Sequence, residues 1–257
     1  MRGVILAGGF GTRLAPLTRI TNKHLLPVYD RPMIYHAIEC VVAAGIREIL
    51  VVTGGNHAGE FLPLLGNGSQ FGLQHLDYTH QDKAGGIAEA LGLAAHFAGG
   101  DDICVLLADN IFEYTIRGAV ERFGAQGGGA RVLLAEVQHA EEYGVATFDG
   151  DRLTGIVEKP SVPPSKLAVA GCYLYDRTVF EIVKTLRPSG RGELEITDVN
   201  NAYLARGTLK WERLAGYWAD CGESIDGLLA AQQLVADRGV NKPIGAGPAR
   251  PRGIPSS

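Results

Sequence analysis

Strand-length apolar runs alternate with helix-length segments through the first half of this 257-residue chain, and that alternation constrains the fold more than any single motif. Residues 3–7 (Gly-Val-Ile-Leu-Ala) form a short apolar run ending in Gly8-Gly9, the pattern of a buried strand that opens into a loop. Residues 31–44 read as a helix: Pro32 suits a first turn, Gly45 a C-terminus, and Ile34, Ile38, Val41 and Val42 share an apolar face. Residues 49–53 read as a second buried strand, 87–97 as a helix, 103–108 as a third strand, 113–123 as a helix and 131–137 as a strand. This order implies right-handed βαβ units, so the fold class is α/β: a Rossmann-like mixed, mostly parallel central sheet flanked by helices. Ligands of such sheets bind beyond the carboxyl ends of the strands, which singles out the loops after Ala7, around Gln81 and after Ala108.

The second half is less regular. Residues 143–148, 153–158 and 167–175 read as strands, Asp176 as the cap of a helix through 186, and 196–206 as a helix. Residues 208–219 return to strand character and 224–237 are helical. The stretch 239–257 is rich in Gly and Pro and reads as a mobile tail, which leaves 1–238 as a single domain. At 46% hydrophobic and 20% charged, the chain can bury a real core.

A net charge of −4 argues against duplex nucleic acid as a partner. The local balance runs the other way in residues 1–31, where Arg2, Arg13, Arg19, Lys23 and Arg31 face a single acid, Asp30, as suits a phosphate-bearing ligand. Cys40, Cys104, Cys172 and Cys221 lie far apart without a CxxC pair and read as buried reduced thiols. Met1 leads straight into a strand and the apolar runs are strand-sized, so the expectation is a cytoplasmic protein with no leader and no membrane partner.

The segment Leu6-Ala-Gly-Gly-Phe-Gly-Thr-Arg-Leu14 follows the first strand. Its glycines let backbone N–H groups approach a phosphate closely. Arg13 and Lys23 would add charge, provided that the loop between them folds back on itself. A dinucleotide fingerprint fails because its last glycine position is Leu14, which removes an NAD-dependent reading, and no GK[ST] of a P-loop is present.

Together, Gly8-Gly-Phe-Gly-Thr-Arg-Leu14 and Lys23-His24-Leu-Leu-Pro27 resemble the signature of the sugar-nucleotide pyrophosphorylases, most closely the short, bacterial glucose-1-phosphate thymidylyltransferases. The resemblance runs from Met1 to about Gln233 and implies the nucleotide-diphospho-sugar transferase type of fold. It implies that Arg13 and Lys23 contact a triphosphate, with Leu6, Gly8, Gly9, Gly11, Thr12 and His24 around it. Gln81 and Gly86 would read the pyrimidine edge, since an amide both donates and accepts. Asp109, at a strand's carboxyl end, and Asp220, in Tyr-Trp-Ala-Asp-Cys-Gly222, match a pair of aspartates holding Mg²⁺, a cation that takes hard oxygen ligands. Glu158 and Lys159, in Ile-Val-Glu-Lys-Pro160, match the sugar and its phosphate, with Asn110, Gly144, Gly171 and Tyr173 completing that site. The segment Arg191–Asp198 matches a stretch beside the sugar site, but its charges equally suit a solvated helix start, so it stays outside the expected site.

The implied activity joins dTTP or UTP to a hexose 1-phosphate, glucose 1-phosphate by default, releasing pyrophosphate. The alternatives are uridylyl transfer to another sugar 1-phosphate and an inactive sugar-nucleotide sensor of the same fold. The resemblance leaves a homo-oligomer open. Departures fall at His24, where Gln is usual, at Ala84 and Gly85, at Ala108, and at Cys221 and Glu223. The relatives carry a further C-terminal helical portion tied to end-product control, so weakened feedback at a second site is also expected.

Overall fold

Side chains along β1 (Arg2–Ala7) alternate between two buried faces: Val4 and Leu6 enter one apolar core, Ile5 and Ala7 another. The same alternation recurs in β4 (Glu48–Gly54) and β6 (Ile103–Leu107), where Leu50, Val52, Ile103 and Val105 face one way and Ile49, Val51, Cys104 and Leu106 the other. Strands buried on both faces are apolar throughout, which explains the continuous runs in the sequence. The structure, a computed structural model, describes residues 1–55 and 57–245.

After β1 the chain makes a small hairpin of β2 (Pro27–Val28) and β3 (Arg31–Pro32), then α1 (Met33–Ala43) and β4. Helix α2 (Phe61–Leu65), β5 (His75–Gln81), α3 (Ile87–Gly92) and α4 (Ala95–Ala98) lead to β6. Then come β7 (Asn110–Phe112), α5 (Arg117–Gln126), β8 (Ala130–Glu136), β9 (Gly144–Asp149), β10 (Arg152–Glu158) and β11 (Leu167–Tyr175). Helices α6 (Val179–Thr185) and α7 (Ile196–Ala205), strands β12 (Leu209–Arg213) and β13 (Trp218–Asp220), and α8 (Ile225–Arg238) close the described chain.

The main sheet is mixed. Strands β6, β1, β4 and β5 run parallel, with β1 at the centre. On the other side of β6, β11 runs antiparallel and connects to β9 and β8, with β10 beyond β9 and β12 beyond β8. Helices α3, α6 and α7 cover one face and α1, α2 and α5 the other. A third core joins Leu14, Val28, Met33 and Ile111 to Leu228 and Val235 of α8.

The chain passes from β1 to β4 and β5 on one side, then crosses to β6 on the other. Beyond the carboxyl ends of β1 and β6 the strand order therefore reverses, which opens a crevice there.

Several elements differ from the sequence expectation. The helix expected over 87–97 is two helices, broken after Gly92, whose missing side chain lets Val183 of α6 approach; a Cβ there would lie 3.3 Å from Val183 Cγ1. The helix expected from residue 113 starts at Arg117, because residues 110–112 pair antiparallel with β13. Glu113 instead stays buried, accepting the Tyr217 N–H and the Lys242 ammonium, each at 3.0 Å. Strand β5 lies at the sheet's edge and carries polar side chains, so it gave no apolar run. Residues 208–219 divide between two sheets. Of the stretch read as a mobile tail, Asn241 and Lys242 donate their N–H groups to Phe112 and Glu113 carbonyls at 2.9 Å, and residues 246–257 lie outside the described residues.

All four cysteines are free and buried. No helix among the described residues is long and apolar enough to cross a membrane. Ile5 is fully buried in the core that joins β1 to α1. Its replacement by Ala costs about 3 kcal/mol and lowers Tm by about 10 °C, read by thermal unfolding; a shift below about 2 °C would contradict this packing.

Candidate active site

Beyond the ends of β1 and β6 lies a cleft of about 430 Å³. Sixteen of the expected site residues line it: Leu6 of β1, with Gly8, Gly9, Arg13, Lys23 and His24 from the loops that follow; Gln81 at the end of β5 and Gly86 beyond it; and eight more from β6 onward. Gly11 and Thr12 do not line it. Gly11 shapes the loop instead, with φ 61°, and a Cβ there would lie 2.9 Å from Thr18 Cγ2 and 3.0 Å from Lys23 Cβ. Only glycine fits that approach, and through it the loop folds back and brings Lys23 beside Arg13's turn.

Asp109 follows β6 and Asp220 ends β13. The β7–β13 pair sets Asp220 opposite Asn110, and the Cys221 N–H donates to the Asp109 carbonyl at 2.8 Å. The two carboxylates are thus neighbours although distant in sequence. Burial works against Asp109's charge, but Lys23, whose Nζ donates to Asp109 Oδ2 at 2.5 Å, holds it well below the usual carboxylate range. Among the described residues Asp220 pairs with no cation, and its Oδ1 accepts the Gly222 N–H at 2.9 Å. Burial and the charge of Asp109 push its carboxyl up to about 7.

Lys23 itself is depressed by burial and more than restored by Asp109, so it remains an ammonium. Burial and Lys23 lower His24 to about 3, so this departure contributes a neutral ring, bonded through Nδ1 to Asn22 Oδ1 at 2.8 Å. Arg13 Nη1 donates to Glu223 Oε2 at 2.5 Å, which with Asp220 and Asp109 outweighs burial and raises the guanidinium pKa.

Asn110 ties these groups to the opposite wall. Its Oδ1 accepts from Gly171 N–H at 2.9 Å and Trp218 Nε1–H at 2.7 Å, while its amide donates to Asp109 Oδ1 at 2.9 Å. A Cβ on Gly171 would lie 2.6 Å from that oxygen, so glycine is required there. Asn110 therefore orients Asp109 rather than offering a free carbonyl to a ligand.

Gly144, Glu158, Lys159, Gly171 and Tyr173 form the other end of the cleft. Glu158 accepts hydrogen bonds from Thr197 Oγ1 and, at 3.3 Å, from Arg191 Nη2. Lys159 has φ 42°, uncommon for a non-glycine residue, with its N–H bonded to the Tyr143 carbonyl at 2.9 Å.

Arg191, Glu193, Glu195 and Thr197 also line the cleft, as do Trp218 and Glu223. The sequence reading left the 191–198 segment out, although its match to the family stretch was the signal that would have included it. Glu223 stood in the sequence only as a departure.

Gln81 is 9% exposed at the end of β5. Its Nε2 donates to Gly86 O at 3.2 Å and Glu89 Oε2 at 2.8 Å. Both hydrogens are bonded within the protein, whereas the sequence reading expected an amide that donates and accepts toward a base.

The raised carboxyl of Asp220 has a measurable consequence. Between about pH 4 and 7 the folded state keeps a proton that the unfolded state has released, so this group's contribution to stability falls as pH rises through that window. In cation-free buffer, Asp220→Asn is expected to gain stability over the wild type across that range and level off above it. Thermal melts of the pair at pH 4.5, 6 and 8 test this; a difference that shrinks with pH contradicts it.

A family model described as nucleotidyl transferase matches residues 2–238. A glucose-1-phosphate thymidylyltransferase of an Actinoplanes species is 45% identical over 250 residues, covering 95% of this chain and 82% of the relative. One from Mycolicibacterium smegmatis is 45% identical over 239 residues, covering 91% and 82%. A Bacillus anthracis crystal structure described as a glucose-1-phosphate thymidylyltransferase in complex with a sucrose has a TM-score of 0.87 at 50% identity, over 91% of this chain and 94% of that one. A UDP-glucose pyrophosphorylase solved with UDP-glucose has a TM-score of 0.77 at 24% identity, over 90% and 97%, and shares the fold. With its whole α/β sheet and cleft inside the matched region, the chain belongs to the nucleotidyl transferase family.

Proposed function

We propose that this protein is a glucose-1-phosphate thymidylyltransferase, joining dTTP, or UTP, to glucose 1-phosphate and releasing pyrophosphate. The observation that carries the reading is that Arg13, Lys23 and Lys159 line one cleft together with Asp109 and Asp220. Cationic side chains from both ends of one crevice, with a pair of adjacent aspartates between them, suit the meeting of two phosphate compounds. The relatives' shared name points to the same pair of substrates.

The chemistry is an in-line displacement. A phosphate oxygen of the sugar 1-phosphate attacks the α-phosphorus of the triphosphate, and the bond to pyrophosphate breaks. The nucleophile is ionised at neutral pH, so no general base is needed, and the protein's work is alignment and charge stabilisation. Lys23, kept charged against burial, holds triphosphate oxygens, and Arg13 meets the charge that grows on the leaving group. Lys159 orients the phosphate of the sugar, whose hydroxyls face Glu158. Gln81 and Gly86 receive the base.

The Asp109–Asp220 pair fits Mg²⁺. A buried carboxylate, Asp109, and a half-buried one, Asp220, whose pKa is raised by desolvation and by Asp109, form a site that a divalent cation relieves. Mg²⁺ characteristically binds through one or two carboxylates plus substrate phosphates. Bound there, it would neutralise phosphate charge.

A pyrophosphate-release assay crossing five triphosphates with a panel of sugar 1-phosphates tests the function. Turnover is expected with dTTP or UTP and glucose 1-phosphate; a folded protein inactive with every pair would sink the proposal. Arg13→Ala should remain folded and lose about 10²–10³ in kcat, since removing one donor to a developing charge has that effect. Unchanged turnover in that variant refutes the role of Arg13.

A further inference from the structure

The hydrogen bonds around Gln81 decide which way its amide faces. The oxygen and nitrogen of an amide are nearly the same in shape, so neighbouring donors and acceptors set the orientation. Here Nε2 faces two acceptors, the Gly86 carbonyl and the Glu89 carboxylate of α3. The Oε1 atom lies on the other side, beside Gly8, where an added Cβ would be 3.1 Å away. Turning the amide over would set its oxygen against both acceptors at once and leave these partly buried groups without the donor they now share.

Room for this arrangement comes from Gly85. A Cβ there would lie 1.7 Å from Glu89 Oε2, so any larger residue displaces the carboxylate. Gly85 was noted in the sequence only as a departure from the family pattern, and Glu89 was not noted at all.

We infer that Glu89 is a positioning residue for nucleobase choice: by taking a hydrogen of the Gln81 amide it fixes the amide oxygen toward the cleft, so the pocket accepts a base bearing an N3–H and rejects one whose N3 is itself an acceptor. Thymine and uracil carry that hydrogen; cytosine does not. Without Glu89 only the Gly86 carbonyl still opposes the turn, so the amide turns over at lower cost and donates to a cytosine N3. Glu89 does not line the cleft, so it acts through Gln81 rather than on the base. The inference rests on the proposed pyrimidine triphosphate substrate and explains how thymine or uracil is kept apart from cytosine.

The test compares kcat/KM for dTTP and dCTP, with glucose 1-phosphate, in the wild type, Glu89→Leu, Glu89→Gln and Gly85→Ala. Leucine removes the acceptor, and the Gly85 variant pushes Glu89 aside without touching Gln81. Both are expected to lower the dTTP-to-dCTP ratio by about tenfold or more, the scale of discrimination that a single satisfied or orphaned hydrogen bond confers. Glu89→Gln retains an acceptor oxygen and should keep most of the ratio. A purely structural role would reduce both rates in proportion; an unchanged ratio in both the Leu and the Gly85 variants overturns the role of Glu89. Wild-type protein that turns over neither dTTP nor UTP overturns instead the functional reading on which this depends.

Discussion

Asp109 and Asp220 are brought against each other in the cleft, and the protein on its own keeps only one of them comfortably charged. Lys23 neutralises Asp109, and Asp220 is left with burial and its neighbour's field, which lift its pKa to about 7. Such an arrangement persists only where the surrounding structure over-determines it. The β7–β13 pair supplies that constraint, and Asn110 reinforces it by bonding Asp109 on one side and Gly171 and Trp218 on the other. Glu113, at the end of β7, then locks Tyr217, Arg238 and Lys242 around the pairing. The position of two like charges thus accounts for a second small sheet and for the docking of residues after α8.

Around the cleft, absent side chains make room for polar ones. Gly11 lets Lys23 approach the first loop, Gly171 lets Asn110 approach β11, and Gly85 makes room for Glu89. In each case the glycine's value lies in the charged or amide group that moves into the space. This pattern lets a cleft hold several polar groups at hydrogen-bonding distance without widening.

Much of this was legible in the sequence, and the reasons differ from element to element. Strands β1, β4 and β6 showed because both of their faces are buried, which leaves an unbroken apolar signature. Strand β5 did not show, because an edge strand with polar side chains has no such pattern. Strand β7 was hidden for another reason: its pairing with β13 is non-local, and residues 113–116 look helical when only neighbours in sequence are counted. Likewise Arg13, Lys23, Asp109 and Asp220 were readable as residue types in a recognisable order. Which partner each had was not readable: Glu223 on Arg13 and Glu89 on Gln81 are contacts between segments that no local spacing relates.

Those partners also bear on how the cleft receives anions. Arg13 is paired with Glu223, Lys23 with Asp109, and Arg191 with Glu195 and Glu158. A phosphate that enters such a site exchanges for a carboxylate and does not fill an empty position, so its net gain is the difference between two ion pairs and much smaller than either alone. The compensation is that guanidinium and ammonium groups already fixed by partners need little reorganisation when charge develops on the reacting phosphates. Lys159 is different, since it forms no ion pair among the described residues and sits at a strained backbone position at the other end of the cleft. The cleft therefore holds Arg13 and Lys23 in place in advance and leaves Lys159 free, an asymmetry that suits the proposed pair of anions of very different charge.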